Sequence, residues 1–210
     1  MSPRGPTLNV LRLAFATTSI VAMTYQFAAT AETGFQKTNF FSFFTIQSNL
    51  LAASVLYLVI AVRPAERGPL FDAVRTGIVL YMAITGVVFA LLLSGLQEEL
   101  QTTIPWVDFV VHKLMPAVLV LDWIVDPPRH RLPLWAAAAW LSFPFGWFVY
   151  TLARGSSVDW YPYPFVDVDE LGYGGVLARA SLLLVGFALA ALAVLLLGNR
   201  LAGRRAAPAS

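Results

Sequence analysis

The sequence of 210 residues contains no cysteine and only two histidines. Without cysteine, disulfides, thiolate metal sites and a cysteine nucleophile are excluded. Two histidines are too few for a multi-histidine metal centre. We therefore expect neither a metal site nor a cofactor.

Charge is also scarce. Charged residues make up 12% of the chain and hydrophobic residues 58%, whereas a soluble domain carries about 25% charged residues. Lipid must therefore cover much of the surface. The net charge is only +2, and there is no basic tract or nucleic-acid motif, so we expect membrane lipid and not nucleic acid as the partner.

Long apolar runs dominate the chain instead. They predict about six membrane-spanning helices, each close to the roughly 20 residues that a crossing requires, at residues 8–29, 41–62, 75–96, 106–125, 133–152 and 177–198. Continuous runs favour helices over the alternating strands of a barrel. No internal repeat is visible, so we expect residues 1–210 to form a single all-α, polytopic helical bundle in the membrane.

Arginine indicates the orientation of these helices. With the N-terminus inside, the inner segments hold basic residues such as Arg12, Arg63, Arg75, Arg129 and Arg204, and the outer segments are acidic or mixed. This distribution follows the positive-inside rule. We expect a cell-membrane protein with both termini in the cytoplasm, and the oligomeric state is left open.

The first segment has an alternative interpretation. Arg4 and Arg12, an apolar run and the sequence Ala29-Thr30-Ala31 are typical of a cleaved signal peptide. The apolar run is long for a signal peptide, so a retained helix is favoured. In either case Glu32 lies outside and the later topology is unchanged.

Polar residues occur inside two of the predicted helices. In the second helix, Thr45, Ser48 and Asn49 share one face because their spacing is i, i+3, i+4. In the fourth, Asp108 and His112 share a face at i, i+4. The structural interpretation is that such groups join helices by hydrogen bonds or lie at the interface. The functional interpretation is a site, because polar groups are costly at membrane depth.

The predicted depths favour a site. Both helices enter from outside, so Thr45 lies roughly 6 Å and His112 roughly 9 Å below the surface at 1.5 Å per residue. A hydroxyl and an imidazole at matching depth suit a nucleophile and its base. Asp108 would orient His112, and Asn49 or Gln47 would donate to a developing oxyanion.

The remaining polar groups have simpler interpretations. The outer loop 159–165 is rich in Tyr, Trp and Pro, which is typical of an interfacial aromatic belt, with a lid over the site as the alternative. Asp167, Asp169 and Glu170 lack the spacing of a calcium loop. Asp122 is expected at the inner interface beside Trp123.

Three runs resemble a known family. They are Phe-Phe-Thr-Ile-Gln-Ser-Asn at 43–49, His-Lys-Leu-Met-Pro at 112–116 followed by Leu-Asp-Trp at 121–123, and Trp-Tyr-Pro-Tyr-Pro-Phe at 160–165. In this order they resemble the bacterial "Pr-six-Pr" membrane proteins, which are distant relatives of the animal androgen-induced (FAR-like) proteins.

The resemblance implies an activity. The animal proteins are multi-pass hydrolases that cleave fatty acid esters of hydroxy fatty acids with an intramembrane threonine and a histidine. Thr45 and His112 match these two residues, which implies a threonine hydrolase acting on a lipid ester in the outer leaflet. The alternatives are a small-solute or proton-coupled transporter that uses Asp108 and His112, and a membrane scaffold without enzymatic activity.

Overall fold

A computed structural model describes residues 4–32, 36–96, 98 and 104–206. The part of the chain that it describes is all-α, without a strand. The α-helices are α1 Arg4–Glu32, α2 Lys37–Ser42, α3 Phe44–Ala61, α4 Pro69–Val88, α5 Pro105–Phe109, α6 Met115–Val125, α7 Leu134–Trp140, α8 Ser142–Val158 and α9 Val168–Ala206. Two π-helical turns, Phe89–Leu93 and Val110–Leu114, continue α4 and join α5 to α6, and 3-10 turns lie at Pro64–Glu66 and Pro164–Val166.

Five helical segments within the described ranges are long and apolar enough to cross a membrane, which makes this an all-α membrane protein. They are Gly5–Thr30, Phe44–Ala61, Pro69–Leu93, Leu134–Val158 and Val168–Arg204. The predicted fourth crossing corresponds to Pro105–Val125, which is helical throughout but is divided by the π-turn Val110–Leu114. Neither α5 nor α6 reaches the length of a crossing alone, so the sixth crossing stays a prediction.

Several helices extend or divide where hydropathy did not predict it. The second predicted helix, 41–62, is divided at Phe43. The backbone of Phe43 is extended (φ −68°, ψ 129°). α4 begins at Pro69, earlier than predicted, because proline suits a first turn and the charged Asp72 and Arg75 are buried within the helix. The fifth predicted helix, 133–152, is divided at Leu141. Pro144 follows three residues later and cannot donate a main-chain hydrogen bond.

The first of two compact units holds the described residues up to Leu132 and those from Gly198 onward. Here α1 packs against α3, α3 against α4 and α4 against α6, and α1 also contacts α5 and α6. Four main helices therefore enclose one core. Its fully buried side chains include Leu56, Leu80 and Met115.

One face of α1 is lined by small side chains. Ala16, Ser19 and Ala22 each have 0% exposure, and small residues let neighbouring membrane helices approach closely. The first predicted helix is therefore an integral part of this core.

The second compact unit spans Pro133–Leu197. It contains α7, α8, most of α9 and the aromatic segment 159–167. Gly172 interrupts the regular geometry of α9 with a φ of 63°, a value that glycine adopts without steric cost. Val166 and Val176 are buried in this unit.

Candidate functional site

His112 lies in the π-turn between α5 and α6, with 3% of its surface exposed. Its Nδ1 is 2.8 Å from Oδ1 of Asp108, which is also buried. The carboxylate therefore selects the tautomer with the proton on Nδ1, and Nε2 is left as the nitrogen that can accept a proton. The predicted pairing of these two side chains is present in the structure.

An aromatic ring fixes the plane of the imidazole. Phe89 stacks on His112 with ring centroids 4.0 Å apart and an interplanar angle of 7°. Phe89 begins the π-turn that continues α4, and Lys113 Nζ lies 5.9 Å from its ring centroid. Both π-turns thus meet at His112. Single π-helical turns inside α-helices occur frequently at functional sites.

Thr45 lies in the first turn of α3, directly after the break at Phe43, and only 6% of it is exposed. Helix α3 has 18 residues, so its N-terminus carries a partial positive charge of about half a unit. Negative charge that develops beside Thr45 would be stabilised by this helix end.

Asn49 connects the turn of Thr45 to the turn of His112. Its Nδ2 donates to the carbonyl of Thr45 at 2.9 Å and to the carbonyl of Val111, the neighbour of His112, at 3.1 Å. Its Oδ1 accepts from the hydroxyl of Ser19 at 3.3 Å. The structure therefore joins three helices at the predicted site.

The other two polar residues of this segment make local bonds. Gln47 Nε2 donates to the carbonyl of Phe41 at 2.9 Å, across the break that precedes α3. Ser48 donates to the carbonyl of Phe44 at 2.7 Å, one turn back in the same helix. Since Asn49 uses both amide hydrogens on carbonyls, the geometry gives Asn49 structural contacts in place of a ready oxyanion site, and the oxyanion role of Gln47 stays a prediction.

A second buried polar cluster joins the opposite ends of these helices, and sequence reasoning missed it. We name it the ionic network: Arg12, Arg67, Arg75, Asp122 and Asp126. Asp122 bonds Arg12 at 2.6 Å and Arg75 at 2.7 Å. Asp126 bonds Arg12 and Arg67, both at 2.9 Å. The expectation that Asp122 is merely interfacial was incomplete, because it is 6% exposed and paired twice.

The ionic network balances its charge with helix ends. Three guanidinium groups face two carboxylates, which leaves one positive charge in excess. Arg67 also donates to the carbonyls of Val59 and Val62 at the end of α3. Arg75 donates to the main-chain carbonyls of Asp122 and Asp126 at the end of α6. Two helix C-termini, each worth about half a negative charge, offset the excess.

A sequence signal for the ionic network exists. The predicted orientation places the basic flanks of three helices on the inner side, and Asp122 and Asp126 lie on the same side at i, i+4. Acidic residues one helical turn apart on a mainly basic side indicate pairing. The positive-inside rule explains the arginines by topology alone and does not predict their partners.

The loop after α6 is held by two polar side chains. Asp72 Oδ2 accepts from the main-chain N–H groups of Arg129 and His130 and lies 2.8 Å from His130 Nδ1. Asn199 bonds both the N–H and the carbonyl of Leu132, at 2.7 and 2.9 Å. These contacts fix the loop and involve no group of the Thr45 region.

The aromatic segment 159–167 packs on α8. The ring of Tyr161 lies against Gly155 and leaves no room for a Cβ atom at that position. The pKa of the Tyr161 hydroxyl is raised above its ordinary value, mainly by partial burial and secondly by the negative charge of Asp169. Asp167 Oδ1 accepts from the N–H groups of Asp169 and Glu170, so its side chain caps the start of α9. Within the described ranges no group of three acidic or histidine side chains is arranged to hold a metal ion.

Comparisons with known proteins give no relative. No protein-family model matches the chain, and neither the curated proteins nor the solved structures contain a significant match.

Proposed function

We propose that the protein is a threonine hydrolase that cleaves a lipid ester, of the type formed between a fatty acid and a hydroxy fatty acid. The observation that carries the proposal is the buried His112–Asp108 pair, joined through Asn49 to the turn that presents Thr45. The resemblance to the "Pr-six-Pr" and androgen-induced (FAR-like) proteins, which selects the same threonine and histidine, supports it.

The chemistry follows from these groups. The hydroxyl of Thr45 attacks the ester carbonyl carbon while His112 Nε2 takes its proton. The imidazolium, stabilised by Asp108, gives the proton to the departing alkoxide, so a hydroxy acid leaves and an acyl–threonine ester forms. Water activated by His112 then attacks this ester, releases the fatty acid and restores Thr45. Each proton taken by His112 is returned in the following step.

The location of the site fits a lipid substrate. Thr45, Asp108 and His112 are each at most 6% exposed, so a substrate must enter between helices. An ester carbonyl of a membrane lipid lies near the surface of the hydrocarbon layer. We propose six crossings with both termini in the cytoplasm, which put the site in the outer leaflet of the cell membrane.

Labelling with a fluorophosphonate probe tests the proposal. The purified wild-type protein is expected to react with the probe, and Thr45→Ala is expected to abolish the reaction. Thr85→Ala is the matched control, because Thr85 is also a buried helical threonine, 4% exposed, whose hydroxyl bonds the carbonyl one turn back. Labelling of folded Thr45→Ala at the wild-type rate would refute the proposal.

A further inference from the structure

The π-turn aligns the carbonyl of Val111 with a proline, which cannot donate a hydrogen bond. In the π-turn, the N–H of Met115 bonds the carbonyl of Val110, five residues earlier. In the same five-residue register, the carbonyl of Val111 would accept from the N–H of residue 116. That residue is a proline and has no N–H. A buried carbonyl without a donor is costly. The turn that carries His112 therefore depends on a donor from elsewhere.

Asn49 is that donor. One hydrogen of its amide reaches the Val111 carbonyl and the other the Thr45 carbonyl, at 3.1 and 2.9 Å. Ser19 fixes the orientation of the amide by donating to its oxygen. Asn49 and Ser19 both have 0% exposure, so water does not replace these bonds.

The C-terminal end of the π-turn is also held by close packing against α4. A Cβ atom on Gly86 of α4 would lie only 3.0 Å from Cβ of Pro116, so α4 and α6 are in tight contact there. With α4 packed against Pro116 and Asn49 bonded to the Val111 carbonyl, the backbone beside His112 has little freedom to shift.

We infer that Asn49 is a positioning residue that sets the distance between the nucleophile and the base. This inference rests on the proposed function of Thr45 and His112. Asn49 acts through two main-chain carbonyls and not on the substrate, which distinguishes it from an oxyanion donor. Its loss should slow proton transfer from Thr45 and leave probe binding unchanged, because a shift of about 1 Å at reacting groups costs about 100-fold in rate.

Kinetics of fluorophosphonate labelling of the purified full-length protein separate these effects. Asn49→Leu keeps the number and branching of the side-chain heavy atoms and removes both donors. It is expected to lower kinact about 100-fold with KI unchanged. Ser48→Ala is the control, because Ser48 is equally buried, neighbours Asn49 and bonds only within its own helix, and its labelling should match the wild type.

A second variant keeps the inference testable if Asn49→Leu does not fold. Ser19→Ala removes the bond that orients the amide and should lower kinact about fivefold, the factor of one ordinary hydrogen bond. Wild-type kinact in folded Asn49→Leu, or in Ser19→Ala when Asn49→Leu is unfolded, overturns the inference and leaves the proposed function standing. A wild-type protein that is not labelled at all defeats the proposed function, and the positioning role fails with it.

Discussion

The chemistry of single residues centres on the imidazole of His112. Its nitrogen Nδ1 faces a carboxylate, its ring stacks on Phe89, and its neighbour Val111 is bonded by Asn49. Helical spacing predicted the pair with Asp108, since both partners lie one turn apart. Spacing did not predict Phe89 or Ser19, because these residues approach from other helices and their packing is set by tertiary structure.

Asp108→Asn tests the role of the carboxylate. An amide oxygen at this position still accepts from Nδ1–H, but it carries no charge to stabilise the imidazolium. We expect the rate of probe labelling to fall by about 100-fold or more, with the fold retained. Asp159→Asn is the control, since Asp159 is exposed and has a left-handed backbone (φ 50°) that asparagine tolerates. Equal labelling rates in the two variants would contradict the assignment.

The helices depend on the ionic network for their arrangement. Apolar runs predicted where helices lie, since lipid selects for apolar length. They did not predict the start of α4, because Asp72 and Arg75 reduce local hydropathy yet are buried and bonded. Nor could they predict the π-turns, which arise from contacts between helices that a single segment does not encode.

Arg75→Leu tests the ionic network. The substitution leaves Asp122 with one cationic partner in place of two, and breaking a buried pair costs about 3–5 kcal/mol. We expect a clear fall in the thermal unfolding temperature in detergent. Arg129→Leu, at an exposed side chain, should change stability by less than about 0.5 kcal/mol. Similar unfolding temperatures for Arg75→Leu and the wild type would show that the network is dispensable.

The molecule as a whole is an all-α membrane protein, as its composition and apolar runs predicted. The sequence could not predict that the described residues form two compact units, because the partition depends on which helices touch. The orientation is a prediction from arginine placement, and the ionic network adds a physical reason for some of those arginines.

Accessibility of single cysteines tests the orientation, and the absence of native cysteine removes background. Ser157→Cys and Ala65→Cys both lie at exposed positions. With both termini inside, a membrane-impermeant maleimide should label Ser157→Cys in intact cells. Ala65→Cys should react only after permeabilisation. The opposite pattern would invert the topology and place the Thr45 region in the inner leaflet.

We propose that Thr45 becomes acylated during turnover. The most direct test is peptide mapping by mass spectrometry after the wild-type protein is mixed with a fatty acid ester of a hydroxy fatty acid and quenched with acid. We predict the acyl mass on the peptide that contains Thr45, and its loss in His112→Ala. An acyl group on another residue, or turnover of the ester in Thr45→Ala at the wild-type rate, would contradict the claim.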